Sequence, residues 1–100
     1  MTDNKAQVVY VDQSGTKFQL DSKPKLKWAC RRGMLELDVL FEPFVDEAYD
    51  ALTDAQKYVF QRLLACEDPE LFAWFMGHEE CPDAELKGMV EIILNRVKVA

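Results

Sequence analysis

The stretch KLKWACRRGMLELDVLFEPF, Lys25 to Phe44, decides the fold. It starts as a basic helix carrying Trp28, breaks at Arg31-Arg32-Gly33, and restarts as a segment with helical apolar spacing. Glycine turns such corners because, without a Cβ, it enters left-handed backbone conformations at little cost. With Gly33 at the boundary, Met34 and Leu35 fall at the first two positions of the next helix and Glu36 at the third. A glutamate there can reach back to the free N–H groups and suits the helix dipole. Two guanidinium groups, an open glycine backbone and a carboxylate thus meet on one short corner, a plausible docking surface.

Working outward, Ser22 is a credible N-cap for the first helix, about Pro24 to Arg32, with the proline tolerated in the first turn. The second helix is expected from Met34 to Leu52, with Leu37, Leu40, Phe41, Phe44, Ala48 and Leu52 on one stripe. Pro43 removes a backbone hydrogen bond, so a kink or break is expected near Val39 to Pro43. Thr53-Asp54-Ala55-Gln56 is a capping box for a third helix ending near Cys66, with Val59, Phe60, Leu63 and Leu64 inward. Asp68-Pro69 caps and starts a fourth helix, which Gly77 ends; Asp83 starts a fifth with Leu86, Met89, Val90, Ile93, Leu94 and Val97 on one face. The expected fold is all-α, a compact bundle of about five short helices over residues 22–100. Residues 1–21 alternate at Val8 to Val11 and Lys17 to Leu20 around Gln13-Ser14-Gly15-Thr16. They read as a weakly ordered extension, flexible or a short hairpin.

One hundred residues make one domain with one core. Hydrophobic residues at 49% and charged ones at 30% exclude a disordered chain. The longest apolar run, Leu71 to Met76, falls far short of the ~20 residues that span a bilayer. The first residues also lack a secretory apolar core, so a soluble cytoplasmic protein is expected, without membrane insertion. Charge is split: residues 1–33 carry seven basic and three acidic side chains, net +4, and residues 34–100 five and fifteen, net −10. The acidic body disfavours nucleic acid, whose phosphates are held by Lys and Arg. The basic run Lys23, Lys25, Lys27, Arg31, Arg32 is either a solvated helix face or a patch that steers toward an acidic partner.

Catalytic chemistry has little to build on. Cys30, Cys66 and Cys81 form no Cys-x-x-Cys pair, and the single His78 follows the Gly77 stop. A closed zinc site needs about four ligands in paired spacing, so reduced, partly buried thiols are expected and no metal. No phosphate loop, nucleophile elbow or dinucleotide fingerprint is present. At the corner, Arg32 and Glu36 stand four apart and could form an exposed ion pair, Glu36 could cap, and Gly33 could be only a joint. Trp28 suits either core or interface, whereas Phe72, Trp74 and Phe75 suit core packing.

Trp28-Ala29-Cys30-Arg31-Arg32-Gly33-Met34-Leu35-Glu36-Leu37-Asp38, followed by Asp68-Pro69-Glu70-Leu71-Phe72-Ala73-Trp74, resembles the small bacterial and mitochondrial succinate dehydrogenase assembly factors. Their hallmark Arg-Gly-x-x-Glu is matched by Arg32, Gly33 and Glu36, and the resemblance spans roughly Lys23 to Lys98. It implies a non-enzymatic helper, and a monomer is expected. Such a helper binds the flavoprotein subunit of succinate dehydrogenase or fumarate reductase and promotes covalent attachment of the client's FAD to a client histidine. No cofactor would be held by the chain itself. The contact would be Arg32 as charge-assisted donor, Gly33 for close backbone approach and Glu36 as acceptor, with Arg31 and Trp28 beside them. The alternatives from other classes are a regulator binding nucleic acid through residues 17–32 and a flavin- or thiol-dependent enzyme.

Overall fold

The computed structural model describes the backbone of residues 8–11 and 17–99 and the side chains of residues 19–96. Five helices form the body: α1 (Lys23–Ala29), α2 (Leu35–Glu47), α3 (Asp54–Leu64), α4 (Asp68–Phe75) and α5 (Ala84–Val99), with a 3-10 turn at Tyr49–Ala51. Two antiparallel strands precede them, β1 (Val8–Val11) and β2 (Lys17–Leu20), in register Val8 with Leu20. The turn expected at Gln13 to Thr16 lies outside the described residues.

Local chemistry sets most boundaries. Ser22 caps α1, accepting the amide of Lys25 at 3.3 Å. Thr53 and Gln56 close the capping box of α3: Thr53 accepts the Gln56 amide at 3.1 Å and donates its own to the Gln56 side chain at 2.9 Å. At the end of α4, Gly77 takes φ +79°. His78 then donates its amide to the Ala73 carbonyl at 2.8 Å and Gly77 donates to Trp74 at 3.3 Å. That pairing is a Schellman stop, and the His78 ring meets Phe72, 5.7 Å between centroids, as its apolar clasp.

Asp83 caps α5, its carboxylate accepting the amides of Glu85 (2.9 Å) and Leu86 (3.1 Å) while it also takes an N–H of Arg62 at 2.8 Å. The Leu86 amide first, and Arg62 next, hold the Asp83 carboxyl below the usual carboxylate range. A carboxyl whose folded pKa is depressed contributes stability above its unfolded value, about 3.9, and that stability is lost as pH falls through the folded value. Asp83→Asn, which still caps, is therefore expected to flatten the acid limb of a melting-temperature profile below about pH 4. An unchanged slope in thermal melts across that range would remove Asp83 from the acid response.

Two helix ends, and the break expected at Pro43, differ from the sequence expectation. The first helix stops at Ala29, three residues early, because the Arg31 amide already bonds back to Trp28 at 3.1 Å and the chain opens into the corner. The second stops at Glu47, and Tyr49–Ala51 tightens into the 3-10 turn. Pro43 causes no break: α2 runs through it from Leu35 to Glu47, with the proline on the exposed side. The missing N–H there costs one bond, while Leu40, Phe41, Phe44 and Val45 on the other side remain fully packed.

The core is aromatic at its centre. Phe41 of α2 meets Phe60 of α3 edge-on at 6.2 Å and Phe75 of α4 at 5.4 Å. Phe44 and Tyr49 pack on the same Phe60 at 5.2 and 5.8 Å. Leu26, Leu37, Leu63, Leu71 and Ile93 complete it, so all five helices contribute. Phe75 is buried, while Phe72 and Trp74 are half-buried at the edge. The side chain of Val97 lies outside the described residues. Among the described residues, one side-chain amide ties the end of β2 to this body. Gln61 of α3 accepts the Asp21 amide at 2.7 Å and donates to the Gln19 carbonyl at 2.9 Å, as a neighbouring strand would. Leu20, between Gln19 and Asp21, is buried.

Candidate functional site: the corner between α1 and α2

The corner is built by a glycine and an inward-turned arginine. Gly33 adopts φ +78°, the left-handed region, and a Cβ built on it would meet nothing within 4 Å. Conformation, not crowding, selects glycine here. Met34 is then extended and acts as N-cap without a side-chain bond, so α2 opens at Leu35 and Glu36 becomes its second residue, not its third. The carboxylate that reaches back is Asp38, which accepts the Arg32 amide at 2.9 Å. Glu36 is released from capping and is exposed.

Arg32 does not pair with Glu36. Its Nε donates to Asp68 at 2.7 Å, one Nη to the carbonyls of Ala29 (3.0 Å) and Leu64 (2.6 Å), and the other to Cys66 at 2.6 Å. Four of the five guanidinium N–H groups are thus used within the chain, and the side chain is only 13% exposed. One guanidinium N–H is left over for a client, so a client contact through Arg32 stays a proposal. The carbonyls it binds end α1 and α3, where the helix dipole is negative, and a planar fork suits several such acceptors at once. Removing the fork would orphan them, at up to about 3 kcal/mol for a buried group left without a partner.

The other predicted residues face outward. Arg31 and Glu36 are exposed, and among the described residues Arg31 makes no ion pair. Trp28, the residue the sequence left between core and interface, is 72% exposed, and no cation stacks on it among the described residues. Beside them lie two residues that sequence reading did not single out, Leu35 at 72% and Val39 at 55% exposure. One turn apart on α2, they share a face. The signal that could have found them was their position off the inward stripe of Leu37, Leu40, Phe41 and Phe44.

The basic run does not act as a block of free charge. Lys23 pairs with Asp50 at 2.9 Å, Lys25 with Asp21 at 3.4 Å and Lys27 with Asp46 at 2.6 Å. With Arg32 on Asp68, Arg31 is the cation the corner leaves outward. A phosphate-binding stripe needs such charges free, so the nucleic-acid alternative gains no support. Beneath the corner Cys30 is fully buried; burial first, and the Glu42 charge second, push its thiol up to about 12. A thiol with that pKa is protonated at neutral pH and offers no nucleophile. Burial likewise raises Cys66. No helix among the described residues is long and apolar enough to cross a membrane, and no group of three or more His, Cys, Asp or Glu among them could hold a metal ion.

Residues 24–97, the helical body with the corner at its head, match the family model described as flavinator of succinate dehydrogenase. The chain belongs to that family. It is 66% identical over 80 residues to the FAD assembly factor SdhE of Idiomarina loihiensis, which spans 80% of this chain and 89% of the relative. To the FAD assembly factor SdhE of Colwellia psychrerythraea it is 62% identical over 88 residues, 88% of this chain and 97% of the relative. The fold matches the solution structure of a UPF0350 protein at TM-score 0.67 and 48% identity, covering 77% of this chain and 82% of the other. For this family member the corner residues Arg32, Gly33 and Glu36 therefore stand in a helical body of known type.

Proposed function

We propose that this chain is an assembly factor that docks on the flavoprotein subunit of succinate dehydrogenase, and of the related fumarate reductase, and promotes covalent attachment of FAD to a client histidine. Membership of the flavinator family carries the reading, and the exposed corner supplies the surface. Arg31, Gly33, Glu36 and Trp28 are the contact residues. Arg31 offers a free guanidinium to a carboxylate or carbonyl, Glu36 accepts hydrogen bonds, Gly33 lets a client backbone approach without a side chain between, and Trp28 gives apolar area.

FAD belongs to the client, which supplies the flavin chemistry and the acceptor histidine. The helper acts by binding one client conformation better than others, the one in which histidine and flavin are aligned. It works as a monomer, binds no nucleic acid and is not an enzyme. His78 has a structural task as the residue that closes α4, so its chemistry is not needed for this role.

The test is reconstitution: purified apo flavoprotein subunit and FAD, with and without this chain, followed by in-gel flavin fluorescence after denaturation. Faster accumulation of covalent flavin with the chain present is expected. Equal rates with and without it would contradict the proposal.

A further inference from the structure

We infer that Arg32 is a positioning residue, working with Asp68, that holds Gly33 and Glu36 in the geometry the client reads. The inference rests on the docking proposal above and assigns the motif arginine a place behind the surface instead of on it. Through Ala29, Asp38, Leu64, Cys66 and Asp68, one residue joins the end of α1, the first turn of α2, the end of α3 and the start of α4. Gly33 follows it directly, and the left-handed turn at φ +78° carries the direction set at Arg32 into the first turn of α2. A small rotation of that anchor would swing Glu36 across the surface. The guanidinium is suited to the task because its donors point in fixed, coplanar directions. A lysine keeps the charge but presents its donors from one point, so it cannot serve Asp68 and three carbonyls on different sides together.

The two roles for Arg32 differ in what Asp68 should matter for. If Arg32 touched the client, Asp68 would be incidental. If it positions the corner, Asp68 and Arg32 form one unit, and their losses should not add.

The experiment measures affinity of the full chain for apo flavoprotein subunit, with Arg32→Lys, Asp68→Ala and the double variant, at a temperature where circular dichroism shows each folded. The expected result is binding weaker by about tenfold or more for each single variant, with the double within about twofold of the weaker single. Amide shifts of Gly33 and Glu36 in heteronuclear spectra should also move in Asp68→Ala, although Asp68 is more than thirty positions away in sequence. A loss of general stability alone would lower the melting temperature without moving either readout in the folded molecule.

Wild-type affinity in Arg32→Lys would overturn the inference, because a lysine cannot rebuild the network. So would unchanged affinity and unchanged corner shifts in Asp68→Ala. If wild type bound no flavoprotein subunit, the docking proposal would fall. The shifts of Gly33 and Glu36 would then decide the geometric part alone, and unmoved shifts would overturn it.

Discussion

Gly33→Arg is expected to abolish capture of the flavoprotein subunit while leaving the helical fold in place. A non-glycine residue at φ +78° pays the left-handed penalty of about 1–2 kcal/mol, and nothing within 4 Å would clash with the new Cβ. For a domain of this size, that penalty lowers the melting temperature by about 4–16 °C without unfolding the chain at working temperature. The effect on docking is of a different order, because a long cation then stands where close approach needs a bare backbone. Gly33→Ala separates the two contributions: it carries nearly the same backbone strain with a single methyl group. Circular dichroism and pull-down on both variants give the answer. Equal loss of capture in both would place the requirement in the turn itself, and full capture by Gly33→Arg would remove Gly33 from the contact.

The largest effect on stability is expected in the middle of α2, the helix that follows Gly33. Phe41 is fully buried and edge-on to both Phe60 and Phe75, so it joins α2 to α3 and α4. Truncation to alanine removes the transfer free energy of the ring, its edge-to-face contacts, and leaves a cavity between three helices. A cost of about 3–5 kcal/mol is expected, against a total stability on the order of 5–15 kcal/mol for a single domain. That corresponds to about 12–40 °C in melting temperature. A thermal melt followed by circular dichroism measures it; a fall of less than about 4 °C would mean that the site collapses around the missing ring. Because Phe41 lies five positions from Glu36 and faces the core while Glu36 is exposed, the folded fraction of Phe41→Ala should still engage the client.

The two substitutions probe what sequence shows well and what it shows poorly. The capping box at Thr53 and Gln56, the Ser22 cap, the Gly77 stop and the stripe of α5 are local, and the residue types announce them. Apolar spacing likewise located the inward faces of α2 and α3, including Phe41, Phe44 and Phe60. What spacing did not reveal is where a long polar side chain goes once the helices have packed. Arg32 and Glu36, four apart, suggested a surface pair, yet the guanidinium finds the carbonyls of Leu64 and Cys66 and the carboxylate of Asp68. Backbone carbonyls at a helix end leave no mark in the sequence, so such a destination is invisible until the chain is folded.

The same reason hides Gln61, whose amide completes the edge of β2 from a distant helix. The exchange of roles between Glu36 and Asp38 is subtler. A shift of one residue in the start of α2 moves a carboxylate from cap to surface. That shift frees Glu36 for a partner, so the departure from the local rule coincides with the surface proposed for docking. Pro43 shows the converse: a helix breaker tolerated because the packed inward face outweighs one missing hydrogen bond.

Docking through the exposed corner between α1 and α2 stands or falls with Glu36. Glu36 caps nothing and is exposed, so Glu36→Ala should leave the fold and the melting temperature unchanged within about 0.5 kcal/mol of stability. The measurement is a pull-down of apo flavoprotein subunit by wild type and by Glu36→Ala, with in-gel flavin fluorescence of the captured client. Loss of both capture and covalent flavin in the variant is the predicted result. Capture and flavin at wild-type levels would contradict it and move the docking surface away from this corner.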